Sequence, residues 1–174
     1  MAVTADTLSP LPPLRGEQRT ASRPDSHVWL SASAGTGKTQ VLAARVFRLL
    51  LRGVSPAAIL CLTFTKAGAA EMAARISQRL AAWVRMPETA LGKDLIALGE
   101  EPTAQRIALA RTLFARVLDA PGGGLRIQTI YGFCQGLLAA FPAEAGLVPG
   151  FRPIEPREEV LLMRQALGHL LVDA

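Results

Sequence analysis

The sequence predicts an α/β fold, a parallel sheet flanked by helices, and three observations point to it. Short apolar runs at 27–32 (HVWLSA) and 58–64 (AILCLTF) each lead into a segment with helical apolar spacing, the order of a βαβ unit. The apolar residues, 50% of the 174, are mostly Ala and Leu, which favour helix over strand. Aromatic residues make up only 5%, which argues against an all-β sandwich, and the size of the apolar fraction excludes disorder throughout.

Residues 1–14 read as a flexible tail, because Pro10, Pro12 and Pro13 prevent regular pairing. Taken without the motifs around it, Gln18 in GEQRT at 16–20 could equally be an exposed polar residue on a short helix. The run at 27–32 reads as a strand and is followed by the glycine-containing stretch SAGTG. A helix over 38–51 carries Val41, Leu42, Val46, Leu49 and Leu50 on one side and Arg45, Arg48 and Arg52 on the other, and Gly53 and Pro56 stop it. The unbroken apolar character of 58–64 suits a strand buried on both faces. The next helix, 66–85, places Met72, Ile76, Leu80 and Trp83 on one face and pairs Glu71 with Arg75 four residues on.

Residues 87–120 are helical in pattern, most strongly over 103–118, where Ile107, Ala110, Phe114, Val117 and Leu118 form the expected buried side and Arg106, Arg111 and Arg116 the solvated one. PGGG at 121–124 breaks the chain, LRIQT offers a third strand, and a helix over 130–141 ends at Pro142. The last helix spans 156–172, with Pro156, Glu158 and Glu159 in its first turn. No internal repeat is present.

Nineteen basic against 14 acidic side chains give +5, a balance that suits a polyanionic partner. Most of the arginines fall on helix faces where solvent accounts for them, and only Lys38, Lys66 and Lys93 are lysines. Cys61 and Cys134 lie in apolar runs without metal-ligand spacing and are expected to be buried and reduced. His27 and His169 are isolated. No charge-free stretch has the length and apolarity of a membrane span, and the N-terminus lacks a basic region, so a cytoplasmic location is expected.

Residues 32–39 read Ala32-Ser33-Ala34-Gly35-Thr36-Gly37-Lys38-Thr39, the pattern of a phosphate-binding loop with Ala32 in place of the first glycine. Gly35 and Gly37 allow the backbone to curl so that successive N–H groups face phosphate oxygens, with a helix N-terminus behind them. Lys38 is placed for the β and γ phosphates and the Thr39 hydroxyl for Mg²⁺, so bound Mg-ATP is the expectation. The loop alone leaves kinases, GTPases, transporters and helicases open.

Three further segments narrow that field. LTFTKAGAAEMAARI at 62–76 and IQTIYGFCQGLLAAFP at 127–142 resemble successive signatures of the UvrD/Rep group of superfamily 1 helicases, and GEQRT resembles the glutamine motif upstream of their phosphate loop. WLSASAGTGKTQVLAARVFRLLL, ILCLTFTKAGAAEMAARI, ARVLDAPGG, and TIYGFCQGLLAAFPAEAGL followed by GFRPIE are similar to the AddA group of helicase-nuclease proteins of bacterial AddAB complexes. Resemblance extends over nearly all residues from 15 onward.

It implies a P-loop NTPase (RecA-like) lobe, left incomplete, over 15–141, and the start of an inserted helical subdomain over 142–174. It further implies ATP-driven 3′ to 5′ translocation on single-stranded DNA, unwinding of broken duplex ends for double-strand-break repair, and an AddB-like partner. Gln18 would read the adenine edge, since an amide donates and accepts at once. Thr63, Phe64, Thr65 and Lys66 would face single-stranded DNA, Phe64 stacking on a base and Thr65 bonding a phosphate. Thr129, Ile130, Tyr131 and Phe133 would belong to the same DNA-binding edge. The family usually has His where this chain has Tyr131, and Ala where it has Gly68.

An ATPase of this type also needs an acidic pair at a strand end and an arginine from a second lobe. The one candidate acidic strand end, LLVDA at 170–174, continues a helical period and is read as helix. The chain therefore reads as the N-terminal fragment of a longer protein, expected to hydrolyse ATP negligibly alone. A plain UvrD-like repair helicase without nuclease, a phosphate-loop kinase of a small substrate and a non-catalytic nucleotide- or DNA-binding module are the competing readings.

Overall fold

The computed structural model describes residues 9–31, 33, 35–152, 154 and 156–172. The chain divides into two compact units, residues 1–129 and 130–174. This division falls earlier than the 141/142 boundary expected from the motifs, because the helix after the last strand groups with the C-terminal unit.

The first unit contains helix α1 (Glu17–Ala21), α2 (Lys38–Leu51), strand β1 (Leu60–Thr63), α3 (Lys66–Arg85), α4 (Glu88–Ala97), α5 (Ala104–Leu118) and strand β2 (Arg126–Thr129). β1 and β2 pair in parallel, Leu60 opposite Arg126 through Thr63 opposite Thr129. Parallel neighbours need a crossover, which α3, α4 and α5 supply. α3 packs on both strands and against α2 and α5. Its expected face, Met72, Ile76, Leu80 and Trp83, is buried, and Trp83 tilts against Phe47 of α2 with ring centroids 5.1 Å apart. Such an aromatic pair contributes about 1 kcal/mol beyond its buried area. Leu91 and Leu95 of α4 and Ile107, Ala110 and Leu113 of α5 complete the core.

The second unit holds α6 (Ile130–Ala140) and α7 (Pro156–Val172). Helix continues to Val172, in agreement with the periodicity that argued against an acidic strand end; Asp173 lies outside the described residues. Arg152 pairs with Glu158 in the first turn of α7 at 3.4 Å. No helix among the described residues is long and apolar enough to cross a membrane.

Several expectations are corrected. The segment 27–31 forms no strand: a strand exists only with a hydrogen-bonded neighbour, and β1 and β2 pair only with each other, leaving Trp29 94% exposed. β1 is covered on one face only, since Cys61 packs against the core while Leu62 is exposed. Leu42 of α2 and Leu118 of α5 are likewise exposed, and Leu113 takes the buried place in α5.

Residues 9–14 are not a free tail either. The prolines keep the segment out of regular structure, but four of its backbone groups are tied down: Leu11 N–H donates to Asp94 Oδ1 (2.9 Å), Leu14 N–H to the Ala97 carbonyl (3.1 Å), and the Ser9 and Pro12 carbonyls accept from Arg79 (2.7 Å) and Gln40 (2.9 Å). Leu14 is buried. The cysteines also differ from expectation, Cys61 being half-buried and Cys134 exposed on α6. Burial pushes the Cys61 thiol up from its ordinary value.

The arginines differ most from the solvated faces read for them. Arg48 is buried and donates to Glu100 (Nε–Oε1, 2.9 Å), Ser22 Oγ (2.9 Å) and the Arg19 carbonyl (3.2 Å). Arg45 donates to the carbonyls of Ala21, Arg23 and Ser26, and so fixes the loop that approaches the phosphate-loop motif. Arg111 donates to the carbonyls of Trp83, Val84 and Met86 at the end of α3. Asp94, buried, accepts from Trp83 Nε1 (2.8 Å) and Arg79 (3.2 Å). A guanidinium carries five donors in a rigid fork, enough to close several carbonyls at once where the chain has no regular ladder.

Candidate nucleotide-binding site and nucleic-acid edge

The loop motif leads directly into α2, whose first residue is Lys38. Gly35 and Gly37 adopt φ of +79° and +84°, left-handed values that only glycine takes without strain, and Gly37 forms the N-cap of α2. No side chain caps this helix start, and its first turn carries no acid. A helix N-terminus free of carboxylates, preceded by left-handed glycines, suits an anion. Lys38 Nζ donates to the Ser33 carbonyl (2.5 Å) and Thr36 Oγ1 to the same carbonyl (2.7 Å), so both side chains stay folded over the loop. Thr39 is half-buried in the first turn. Ala32 and Ala34, the remaining loop positions, lie outside the described residues.

Gln18, 20 positions upstream of Lys38, is brought to the same place. A Cβ added at Gly37 would lie 3.3 Å from Gln18 Nε2, so the amide rests against the loop glycine. The Gln18 carbonyl oxygen accepts from Arg15 N–H (3.2 Å), which orients the amide with its NH₂ toward the loop. These residues set a side-chain amide beside a loop that suits phosphate. Among the described residues no cluster of three or more His, Cys, Asp or Glu could hold a metal ion.

The second motif sits at the C-terminal ends of β1 and β2, the edge at which open α/β sheets take their ligands. Thr63 and Thr129 are direct neighbours there, although 66 positions separate them in sequence. Thr65 is the N-cap of α3, its hydroxyl oxygen accepting from Gly68 N–H (3.0 Å), which leaves the hydroxyl hydrogen to donate elsewhere. Phe64 is 80% exposed and Lys66 is exposed beside it. Gly68 acquires a physical reason: a Cβ there would lie 3.0 Å from Thr65 Oγ1 and 3.1 Å from Thr63 Oγ1. In the second unit, Tyr131 is 75% exposed on α6, and Ile130 and Phe133 are half-buried.

Residues 14–173 match the UvrD/REP helicase N-terminal domain. The chain belongs to this family. Among curated relatives, an ATP-dependent helicase/nuclease subunit from Desulforamulus reducens is 35% identical over 149 residues, 84% of this chain and 10% of the relative. Proteins of the same name from Clostridium botulinum (31%) and Levilactobacillus brevis (35%) match 86% and 80% of this chain and 10% of their own length each. The chain thus spans about a tenth of the length of these relatives. The resemblance to helicase-nuclease proteins drawn from the motifs is borne out.

Within this UvrD/REP domain, the groups that motif reading missed are Arg48, Ser22 and Glu100, which form a buried polar cluster with Arg106 (3.3 Å from Glu100 Oε2) behind α1. One signal was present in the sequence. Arg48 lies on the same helical stripe as Val41, Ala44 and Leu51, all buried, at spacings of three, four and three residues.

Proposed function

We propose that this domain is the nucleotide-binding part of an ATP-dependent DNA helicase, built as a P-loop NTPase (RecA-like) lobe and belonging to a helicase-nuclease that acts on DNA double-strand breaks. The observation that carries the reading is the meeting of Gln18 with Gly37 at an acid-free helix start, because it joins a base-reading amide to a phosphate cradle. In this reading the backbone of Gly35 and Gly37 would hold the phosphates, Lys38 would contact them in place of the Ser33 carbonyl, and the Thr39 hydroxyl would hold Mg²⁺. Gln18 selects adenine by offering a donor and an acceptor on one plane. Bound Mg-ATP supplies the free energy of phosphoryl transfer; the chain binds and orients it.

Phe64 stacks on a base while Thr65, Lys66 and Thr129 contact the backbone, a combination that tolerates any sequence. In the second unit Ile130, Tyr131 and Phe133 also serve DNA binding, Tyr131 through ring stacking and its hydroxyl. Translocation runs 3′ to 5′, in the cytoplasm, with an AddB-like partner. The test is the DNA-stimulated ATPase of the full-length gene product. Lys38→Ala is expected to lower it at least about 100-fold, with single-stranded DNA binding retained; undiminished turnover in that variant rejects the reading. A small-substrate kinase would instead show ATP turnover indifferent to single-stranded DNA and to salt.

A further inference from the structure

Helix α1 is five residues long, too short to hold its own orientation in water. It begins at Gly16 with no side-chain cap. Arg48 of α2 holds it: the guanidinium donates to the Arg19 carbonyl (3.2 Å) and to Ser22 Oγ (2.9 Å), Ser22 Oγ donates to the Arg19 carbonyl (3.0 Å), and Arg45 of the same helix adds a bond to the Ala21 carbonyl (3.4 Å). The side chain of Arg48 is 8% exposed and that of its partner Glu100 is 4% exposed, so this is an interior ion pair and not a surface one. Glu100 follows α4 and is also gripped by Arg106 of α5 (3.3 Å). One residue before Arg19 stands Gln18, with its amide against Gly37.

We propose that Arg48, held by Glu100, is a positioning residue for base recognition: it sets the angle of α1 and thereby where Gln18 meets the nucleobase. The proposal rests on the reading of Gln18 as the adenine-selecting group. A buried pair can be replaced by apolar packing at little cost to stability, so packing alone does not account for what this pair does at α1. Directional bonds to one carbonyl and one hydroxyl of α1 supply the rest, since a methylene surface fixes depth but not rotation. The pair also ties α1 to the junction of α4 and α5, so that the base-reading helix and the helical layer move as one piece.

The experiment compares KM and kcat for ATP and for GTP in the full-length gene product carrying Arg48→Met, Glu100→Gln or Gln18→Ala, with single-stranded DNA present. Arg48→Met is expected to raise the ATP KM about tenfold and the GTP KM less than about twofold, so that base preference falls, with kcat within about twofold of the parent. Glu100→Gln should shift preference in the same direction by a smaller factor, and Arg48→Lys should recover part of it. The double variant Gln18→Ala, Arg48→Met should lose no more preference than Gln18→Ala alone, as expected for two residues acting through one contact. Equal rises in KM for both nucleotides, or an additive double variant, overturn the proposal by making Arg48 a stability residue only. If Arg48→Met does not fold, Glu100→Gln decides by the same ratio. Unchanged base preference in Gln18→Ala would instead remove the reading of Gln18, and ATP turnover surviving Lys38→Ala would remove that of the loop.

Discussion

The two helices that carry the motifs, α2 and α3, start in opposite ways. α2 opens from a left-handed glycine with no side-chain cap and no acid in its first turn, an arrangement that suits an anion. α3 opens from Thr65, whose hydroxyl accepts from Gly68 N–H and closes the helix on itself. In the proposed reading the difference separates two uses of phosphate. The first site would surround a phosphate with backbone and demand one geometry, as a nucleotide pocket must. The second would offer an exposed ring and a few donors on a self-sufficient helix, as a track for a moving strand must.

That contrast can be broken by four substitutions. The largest effect is expected from Gly37→Ala, which forces a Cβ into a left-handed residue at about 1–2 kcal/mol and crowds Gln18. ATP affinity measured by competition should fall at least about tenfold, with single-stranded DNA affinity unaltered. Phe64→Ala should do the reverse: loss of one stacked base costs about 1–3 kcal/mol, read as weaker DNA binding in a fluorescence-anisotropy titration, with ATP affinity kept. Its midpoint of thermal unfolding should not move, because the ring is 80% exposed; a clear fall would mean that Phe64 serves the core.

Thr65→Ala removes the cap of α3 at about 1 kcal/mol, a drop of roughly 2–4 °C in Tm, and Thr65→Ser should restore most of it. The smallest effect is expected from Gly68→Ala. The gain in helix propensity, about 1 kcal/mol, is offset by the approach of the new methyl to the Thr63 and Thr65 hydroxyls, so calorimetry should find Tm within about 2 °C of the parent. A strong stabilisation would show that the hydroxyls yield freely.

Most helices were legible from the sequence because helical spacing is a local property. α2 and α3 run as expected, 38–51 and 66–85, and α6 and α7 agree to within a residue or two. The strand expected at 27–32 does not form over 27–31, because pairing depends on a neighbour that no local pattern reveals, and apolar character alone does not supply one. The phosphate loop and glutamine motif were readable as residue types, and their meeting at Gly37 was not, since it depends on how α1 is held. What holds it, Arg48 to Glu100, spans 52 positions, and an arginine on a helix reads as solvated until its partner is known. The docked segment 9–14 escaped for a similar reason: its anchors, Asp94, Ala97 and Arg79, lie far along the chain.

The chain has two tryptophans at opposite extremes, Trp83 sealed in the core beside Phe47 and Trp29 almost wholly in water a few residues before the loop glycines. They make two separable optical channels. From their burial, indole emission from Trp83 is expected toward the blue and protected from iodide, reporting on the core between α2 and α3, whereas Trp29 is expected to emit toward the red and be quenched freely, on the segment leading into the loop motif. Nucleotide added to the protein should change the quenchable fraction and leave the protected one alone, so a single cuvette distinguishes occupancy from unfolding without any label.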